Sequence, residues 1–208
     1  TDIAVATDDR RIAEAVARFG GNPLMTSESC RSGTDRAAEA AAQLGLAPED
    51  IVVNIQGDQP LIAPQTIDET VAPLLSDPDL GMTTAAFAIV DKREITNPKD
   101  VKMVFDANGF ALYFSRSPIP FARDKGTRFD TFKHLGIYAY RRDFLTTFAR
   151  LPVSPLEERE GLTAQHILAA QQSGGLIQID QAVAGVIADL EEELGYQSEE
   201  QMQRLPLR

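Results

Sequence analysis

With 208 residues, 43% of them apolar and 25% charged, the chain has the length and composition of one globular domain with a sizeable core. Its formal net charge of −11 argues against a nucleic-acid partner, although a few focused arginines suffice to bind a single nucleotide. The only cysteine, Cys30, excludes an intrachain disulfide and a cysteine-based metal site, which fits a reducing cytoplasm, and no apolar run is long enough for membrane insertion.

Strands and helices alternate in the first half of the chain. We predict, in order, a strand, two helices, a buried strand, a helix and a strand, at residues 2–7, 10–19, 35–44, 51–55, 64–75 and 82–90. Asp8 or Asp9 would cap the first helix, and Pro64 would begin the third. This alternation predicts an α/β fold with a mixed, mostly parallel sheet between helices. Because the chain opens on a strand, we expect the first βα unit of such a sheet to be missing.

The second half of the chain has a different character. A hairpin is predicted at residues 101–114, because two apolar runs flank Asn108-Gly109. A Pro-rich loop is expected next, followed by a strand, two helices and a last strand, at residues 117–131, 133–140, 141–149, 157–172 and 176–179. The acidic tail from residue 189 onward favours a helix.

The buried strand at residues 51–55 ends abruptly in Gln56-Gly57-Asp58. Gly57 lets the backbone turn closely, and Asp58 would then point a carboxylate into the crevice where open α/β sheets bind ligands. A carboxylate there suits Mg²⁺ on a nucleotide phosphate. Asp58 could equally cap the next element.

Three further segments offer candidate binding residues. The loop from Arg31 to Arg36 feeds a helix N-terminus, which suits either a nucleotide or an ordinary helix start. Arg116 follows a strand and could clamp a sugar carboxylate, or simply lie on the surface. On the strand at 133–140, His134 and Tyr138 share one face with Gly136, which favours a polar pocket wall over a purely structural histidine.

Several catalytic signatures are absent from the sequence. It contains no GxGxxG, no phosphate loop ending in Gly-Lys-Ser/Thr, no serine nucleophile elbow and no His-Glu-x-x-His. These absences argue against a dehydrogenase, a P-loop ATPase and a hydrolase.

An ordered set of short motifs resembles one enzyme family over about residues 1–162. The motifs are Ala6-Thr7-Asp8-Asp9, Ser32-Gly33-Thr34-Asp35-Arg36, Asn54-Ile55-Gln56-Gly57-Asp58-Gln59-Pro60, Tyr113-Phe114-Ser115-Arg116, His134-Leu135-Gly136-Ile137-Tyr138 and Ser154-Pro155-Leu156-Glu157. Together they resemble the 3-deoxy-manno-octulosonate (KDO) cytidylyltransferases, or CMP-KDO synthetases. Each motif alone is weak, but the ordered set is specific.

The resemblance implies a Rossmann-like nucleotide-diphospho-sugar transferase fold and a homodimer. It implies transfer of CMP from CTP to KDO, with release of pyrophosphate, for lipopolysaccharide biosynthesis. The implied site residues are Ser32, Gly33, Arg36 and Gln56 for the nucleotide, Asp58 as the catalytic ligand of Mg²⁺, and Arg116, His134, Tyr138 and Gln165 for the sugar. Such chemistry depends on alignment and charge neutralisation more than on a protein nucleophile.

The sequence departs from this family in two places. The phosphate-binding loop that opens the family's fold is not in the chain, and similarity fades after Leu162. Gln165 is displaced by one position, about 100° around a helix. The Asp expected after Gly185-Val186 is absent, so Asp180 and Asp189 are the candidates for a second metal ligand. We therefore expect a single domain over residues 1–208 with a divergent segment at 163–208.

Two alternatives remain open from the sequence. The enzyme could act on another 2-keto-3-deoxy sugar acid, such as sialic acid or 8-amino-KDO. The chain could also be an inactive remnant that serves as a binding or dimerising partner, since it lacks the phosphate-binding loop.

Overall fold

The computed structural model describes residues 2–124, 126–127, 129–161 and 176–180. Two short strands, β1 (Val5–Thr7) and β2 (Pro23–Met25), pair in parallel apart from the main sheet. The main sheet has six strands, namely β3 (Ile51–Asn54), β4 (Leu80–Ala88), β5 (Lys102–Phe105), β6 (Ala111–Ser115), β7 (Phe132–Arg141) and β8 (Leu176–Asp180). Its order is β6-β5-β7-β4-β8, with β3 also beside β7.

The helices begin where the sequence supplies capping groups. They are α1 (Arg10–Arg18), α2 (Gly33–Gln43), α3 (Pro64–Ser76), α4 (Lys92–Thr96), α5 (Arg142–Phe148) and α6 (Pro155–Glu160). Asp9 caps α1 by accepting from the backbone amide of Arg11, and Ser32 caps α2 by accepting from the backbone amide of Asp35. Ser154 and Glu157 form a reciprocal capping box at the start of α6. Among the described helices, none is long and apolar enough to cross a membrane.

The sheet confirms the predicted α/β class but pairs differently from our expectation. We predicted a mostly parallel sheet, yet the described parallel pairs are β1 with β2 and β4 with β8. The cause is β7, which runs antiparallel to β3, β4 and β5 and separates strands that share one direction. The strands β3, β4, β5 and β8 thus run in one direction, as a parallel sheet requires, but of these four only β4 and β8 are hydrogen-bonded neighbours.

A bulge in β7 lies where the sheet meets the candidate site. Thr84 of β4 pairs with Tyr138, but the next residue, Ala85, pairs with Leu135. Gly136 therefore falls in an irregular stretch of β7. On the other edge of β7, Asn54 at the end of β3 lies opposite Tyr138.

Apolar clusters cover both faces of the sheet, as predicted. One cluster joins α2 and α5 to the sheet and includes Met82, Phe114, Tyr140, Leu145 and Phe148. A second cluster faces α3 and includes Leu74, Leu80 and Ala139, and a third on the same side includes Ala85 and Ile137. In β3, Val52 packs toward the first cluster and Val53 toward the second, so both of its faces are covered while its side chains stay partly accessible.

Several boundaries differ from the predictions. The helix predicted at 157–172 begins at Pro155 and ends at Glu160, because Gly161 adopts a left-handed conformation with φ of 62°. The remainder of that predicted helix and the acidic tail lie outside the described residues. The sequence analysis missed β2 and α4, which are only a few residues long. The hairpin formed by β5 and β6 and the strand β8 are confirmed.

Candidate functional site

The turn after β3 lies between the start of α2 and the bulge in β7. The backbone amide of Gln59 donates to the carbonyl of Gln56 at 3.1 Å and closes the turn. A Cβ atom at Gly33 would lie 2.9 Å from both Nε2 and Oε1 of Gln56. A Cβ at Gly136 would lie 3.9 Å from Cγ of Gln56. Two nucleotide-site candidates from distant motifs, Gly33 and Gln56, are thus in contact.

Asp58 is exposed in this turn. It does not cap the next helix, because the N-cap position of α3 is Ala63 and no side chain caps that helix, so that alternative is wrong. No cluster of three or more acidic, histidine or cysteine side chains within the described residues could enclose a metal.

The start of α2 is tied to the strand pair β1 and β2. The hydroxyl of Ser32 accepts from the backbone amide of Asp35 at 3.1 Å. The guanidinium of Arg36 donates to Asp8 and to the hydroxyl of Thr26, each at 2.6 Å. Arg36 thus holds the loop ends of both short strands against α2, in addition to its predicted place at the nucleotide.

Aromatic rings line one face of β7, as the alternation predicted. The ring centroid of His134 lies 5.3 Å from that of Tyr138 and 5.1 Å from that of Phe114 on β6. Tyr138 in turn stacks on Tyr140 at 6.0 Å. The row connects the hairpin that carries Arg116 with the end of β3, so it joins the predicted sugar and nucleotide sides.

The polar groups of this row are uncharged at neutral pH. Burial lowers the pKa of His134 to about 4, and its Nε2 lies 2.9 Å from the hydroxyl of Thr84. Burial also raises the pKa of the Tyr138 hydroxyl, which therefore keeps its proton. A ligand beside this aromatic row would meet neutral hydrogen-bonding groups. A negatively charged ligand would therefore need a positively charged partner elsewhere.

Arg116 is held in place and is not a free surface side chain. Its Nε donates to the carbonyl of Glu160, and its Nη1 to the carbonyl of Pro98, each at 2.8 Å. Its backbone amide donates to the carboxylate of Glu160 at 3.1 Å. These bonds leave Nη2 as the guanidinium nitrogen without a hydrogen bond to the described residues.

Glu160 is a candidate site residue that the sequence analysis missed. Its carboxylate also accepts from the hydroxyls of Ser115 at 2.9 Å and Tyr113 at 3.3 Å. Partial burial raises the pKa of this carboxyl, but the hydrogen bonds from Arg116, Ser115 and Tyr113 outweigh that effect and lower the pKa. No sequence signal marked Glu160, because it lies in a charged run that looks like a solvated helix face.

Asn54 was also missed as an individual residue. Its Oδ1 accepts from Nε2 of Gln56 at 3.3 Å. Its own Nδ2 and the Oε1 of Gln59 are buried and have no hydrogen-bond partner among the residues that the structure describes. A polar residue that ends an apolar strand was the available signal. Of the other candidates, Gln165 and Asp189 lie outside the described residues, and Asp180 ends β8 opposite Ala85.

The fold is that of a Rossmann-like α/β protein, in which the start of α2 and the bulge in β7 both lie against Gln56 in the turn after β3. The model of the cytidylyltransferase family matches residues 1–179. The chain belongs to the cytidylyltransferase family, which confirms the resemblance seen in its motifs.

Several individual enzymes of this family are similar to the chain. The chain is 86% identical over 162 residues to a 3-deoxy-manno-octulosonate cytidylyltransferase of Desulfosudis oleivorans, a match that covers 78% of this chain and 65% of the relative. It is 55% identical over 194 residues to the same kind of enzyme from Desulfatibacillum aliphaticivorans, covering 93% of this chain and 78% of the relative. An 8-amino-3,8-dideoxy-manno-octulosonate cytidylyltransferase of Shewanella piezotolerans is 52% identical over 163 residues, covering 78% and 66%.

A solved structure extends the similarity to the fold. It is that of CMP:2-keto-3-deoxy-manno-octonic acid synthetase complexed with CTP, which is 34% identical with a TM-score of 0.78. The match covers 99% of this chain and 82% of that one. The chain spans 65% of the length of the Desulfosudis enzyme, slightly less than two thirds.

Proposed function

We propose that the protein transfers CMP from CTP to the anomeric hydroxyl of KDO and releases pyrophosphate. The observation that carries this proposal is the contact between Gly33 and Gln56, which joins two nucleotide motifs beside the exposed Asp58. Membership in the cytidylyltransferase family supports it, as do the relatives that carry this enzyme's name. We place the reaction in the cytoplasm, in lipopolysaccharide biosynthesis, and expect a homodimer.

The reaction is a displacement at the α-phosphorus of CTP. The sugar hydroxyl oxygen forms the new bond to phosphorus, the bond to the bridging oxygen of the leaving pyrophosphate breaks, and the hydroxyl loses its proton. The protein contributes mainly alignment and charge neutralisation in such transfers. Asp58 would hold Mg²⁺, which supplies positive charge at the phosphates and lowers the pKa of the attacking hydroxyl.

The remaining candidates divide between the two substrates. Ser32, Gly33 and Gln56 would hold the cytidine, with Arg36 fixing the loop through Asp8. On the sugar side, the Arg116 guanidinium would pair with the KDO carboxylate through Nη2, since its Nε and Nη1 already donate to the carbonyls of Glu160 and Pro98. Because His134 and Tyr138 are neutral, they would form hydrogen bonds with sugar hydroxyls and would not repel the KDO carboxylate.

Pyrophosphate release from CTP and KDO in the presence of Mg²⁺ tests the proposal. We expect turnover by the chain and its loss in Asp58→Ala, while Asp68→Asn, at an exposed position on α3, keeps the wild-type rate. Unchanged turnover in Asp58→Ala would refute the role of Asp58. A folded chain that binds CTP without turnover would favour the inactive binding partner instead.

A second candidate substrate is 8-amino-KDO. It is favoured by the similarity to the Shewanella enzyme named for that sugar, at 52% identity. The two sugars should be compared as competing substrates, each at limiting concentration. A larger kcat/KM for KDO supports the first proposal, and the reverse order supports the amino sugar.

A further inference from the structure

The turn at residues 97–100, between α4 and β5, supplies one of the hydrogen bonds that hold the Arg116 guanidinium. The carbonyl of Pro98 in this turn accepts from Nη1 of Arg116 at 2.8 Å. The backbone amide of Asp100 donates to the carbonyl of Asn97 at 3.2 Å and closes the turn. The position of Nη1 therefore depends on the conformation of this short segment.

Lys102 holds both ends of the turn from inside the protein. It is the first residue of β5 and is fully buried. Its Nζ donates to the carbonyl of Asn97 at 2.8 Å and to that of Asp100 at 2.6 Å. These two carbonyls lie on either side of Pro98 in the chain, so one ammonium group fixes the segment that contacts Arg116.

An ammonium group is a costly side chain to bury, because it loses its hydration. Burial accordingly lowers the pKa of Lys102. What the ammonium provides in return is a set of strong, directional hydrogen bonds, which an apolar side chain of the same volume does not form. These bonds determine where the carbonyls of the turn lie, and packing alone would not.

The backbone of Lys102 is also connected to Arg116 through the sheet. In the hairpin formed by β5 and β6, Lys102 pairs with Ser115, the residue before Arg116. Strand pairing therefore places the backbone of Arg116, while the Lys102 side chain places the turn that its guanidinium reaches. Lys102 thus influences both ends of the arginine.

We propose that Lys102 is a positioning residue for the sugar acid, because it holds the turn that directs the Arg116 guanidinium toward the substrate carboxylate. This inference rests on the proposed function, in which Nη2 of Arg116 binds that carboxylate. The guanidinium is planar, so fixing Nη1 on the Pro98 carbonyl also fixes the direction of Nη2. Lys102 acts through Arg116 and does not touch the substrate.

The test measures the KM for KDO and the KM for CTP, in the presence of Mg²⁺, for the full chain and for Lys102→Met. Methionine fills similar volume but donates to neither carbonyl, so the KM for KDO should rise about tenfold, the equivalent of one modest hydrogen bond. The KM for CTP should stay nearly constant. If Lys102→Met does not fold, as judged by thermal unfolding, Lys102→Gln replaces it with the same expectation, because its shorter side chain cannot serve both carbonyls.

Leu74→Ala is the control for lost stability. It removes buried apolar packing at α3 and none of the hydrogen bonds around the turn at 97–100. Both of its KM values should match those of the unsubstituted chain. A rise in the KM for KDO that is the same in Leu74→Ala and Lys102→Met would come from lost stability and would overturn the inference.

A second background tests whether Lys102 acts through Arg116. Arg116→Lys keeps a positive charge but lacks the planar fork that contacts Pro98 and a ligand together. In this background, Lys102→Met should raise the KM for KDO far less than it does in the unsubstituted chain. An equal increase in the two backgrounds would show that Lys102 acts independently of Arg116.

The outcomes separate this inference from the proposed function. An unsubstituted chain that does not turn over CTP and KDO overturns the proposed function and this inference with it. Turnover in which Lys102→Met leaves the KM for KDO unchanged, or raises both KM values equally, overturns the inference alone. A KM for KDO that rises in Lys102→Met, with a constant KM for CTP and no change in Leu74→Ala, supports it.

Discussion

Gly33 and Gln56 approach each other so closely that no Cβ fits between them. Such an atom at residue 33 would lie 2.9 Å from both terminal atoms of the Gln56 side chain. A side chain at residue 33 would therefore displace the Gln56 amide, and its absence lets α2 start directly against the turn after β3. This contact links two motifs that are far apart in the sequence.

Gly33→Ala should weaken CTP binding. The new methyl group must displace the Gln56 amide, because a 2.9 Å separation is shorter than carbon makes with a polar atom in a relaxed structure. Alanine also favours the helical conformation at the start of α2, so we expect little loss of overall stability. Calorimetry should show a Kd for CTP raised about tenfold or more, equivalent to about 1.4 kcal/mol or more.

Gly57→Ala is the matched stability control for that variant. A Cβ at residue 57 meets nothing within 4 Å, so the free energy of unfolding should be unchanged or slightly higher. Unaltered CTP affinity in Gly33→Ala, at normal stability, would contradict the importance of the close contact.

Glu160→Gln should impair use of the sugar more than use of CTP. The substitution removes the charge that accepts from the backbone amide of Arg116 and the hydroxyls of Ser115 and Tyr113. Hydrogen bonds to a charged group contribute about 1.5–3 kcal/mol each, so the placement of Arg116 should loosen. We expect a KM for KDO raised about tenfold, on the order of 1.4 kcal/mol, with the KM for CTP nearly constant.

Glu158→Gln provides the comparison on the same helix. Glu158 is exposed on α6, and steady-state kinetics of this variant should match the unsubstituted chain. Equal changes in both KM values for Glu160→Gln would indicate a general loss of structure in place of a sugar-side effect.

His134 should make stability depend on pH in the acid range. Burial lowers its pKa from 6.5 to about 4, so between these values the unfolded chain binds more protons than the folded one. The His134 contribution is fully present above pH 6.5 and declines as the pH falls toward about 4, by up to about 3 kcal/mol. Urea unfolding at a series of pH values measures this.

Two variants assign that pH dependence to a residue. His134→Gln should have a shallower decline in the free energy of unfolding below pH 6.5. The other histidine of the chain is His166, and His166→Gln should keep the decline attributed to His134. An identical slope in His134→Gln and the unsubstituted chain would refute the assignment.

Lys102→Met should destabilise the fold. The ammonium of Lys102 is fully buried and donates to the carbonyls of Asn97 at 2.8 Å and Asp100 at 2.6 Å. Methionine fills similar volume but leaves both carbonyls without this donor, at a cost of about 1–3 kcal/mol. Chemical unfolding should show that loss, while Lys99→Met, at an exposed position nearby, should stay within about 0.5 kcal/mol of the unsubstituted chain.

Local features of the sequence predicted most of the helices and strands. Ser32 and Asp9 cap their helices, Pro64 begins α3, and the turn at Asn108-Gly109 joins β5 to β6. These signals act over a few residues, which is why they can be read directly from the chain. The short elements β2 and α4 were missed because they carry too few residues for a periodic pattern.

The sequence identified some of the candidate site residues and missed others. The ordered motifs pointed to Gln56, Asp58, Arg116 and His134, and the family match confirms the resemblance on which their assignment rests. The roles of these residues remain predictions. Glu160 and Asn54 were missed because their significance lies in what they contact, and those contacts join separate elements.

The sequence by itself determined the α/β class, the helix boundaries set by capping, and the family, because these depend on local periodicity and ordered motifs. Only the tertiary structure decided that β7 lies between β3 and β4, that Gly33 touches Gln56, and that Glu160 holds Arg116. These relationships arise from pairings between distant segments, whose partner choice reflects the free energy of the whole packed sheet. No local pattern encodes that choice.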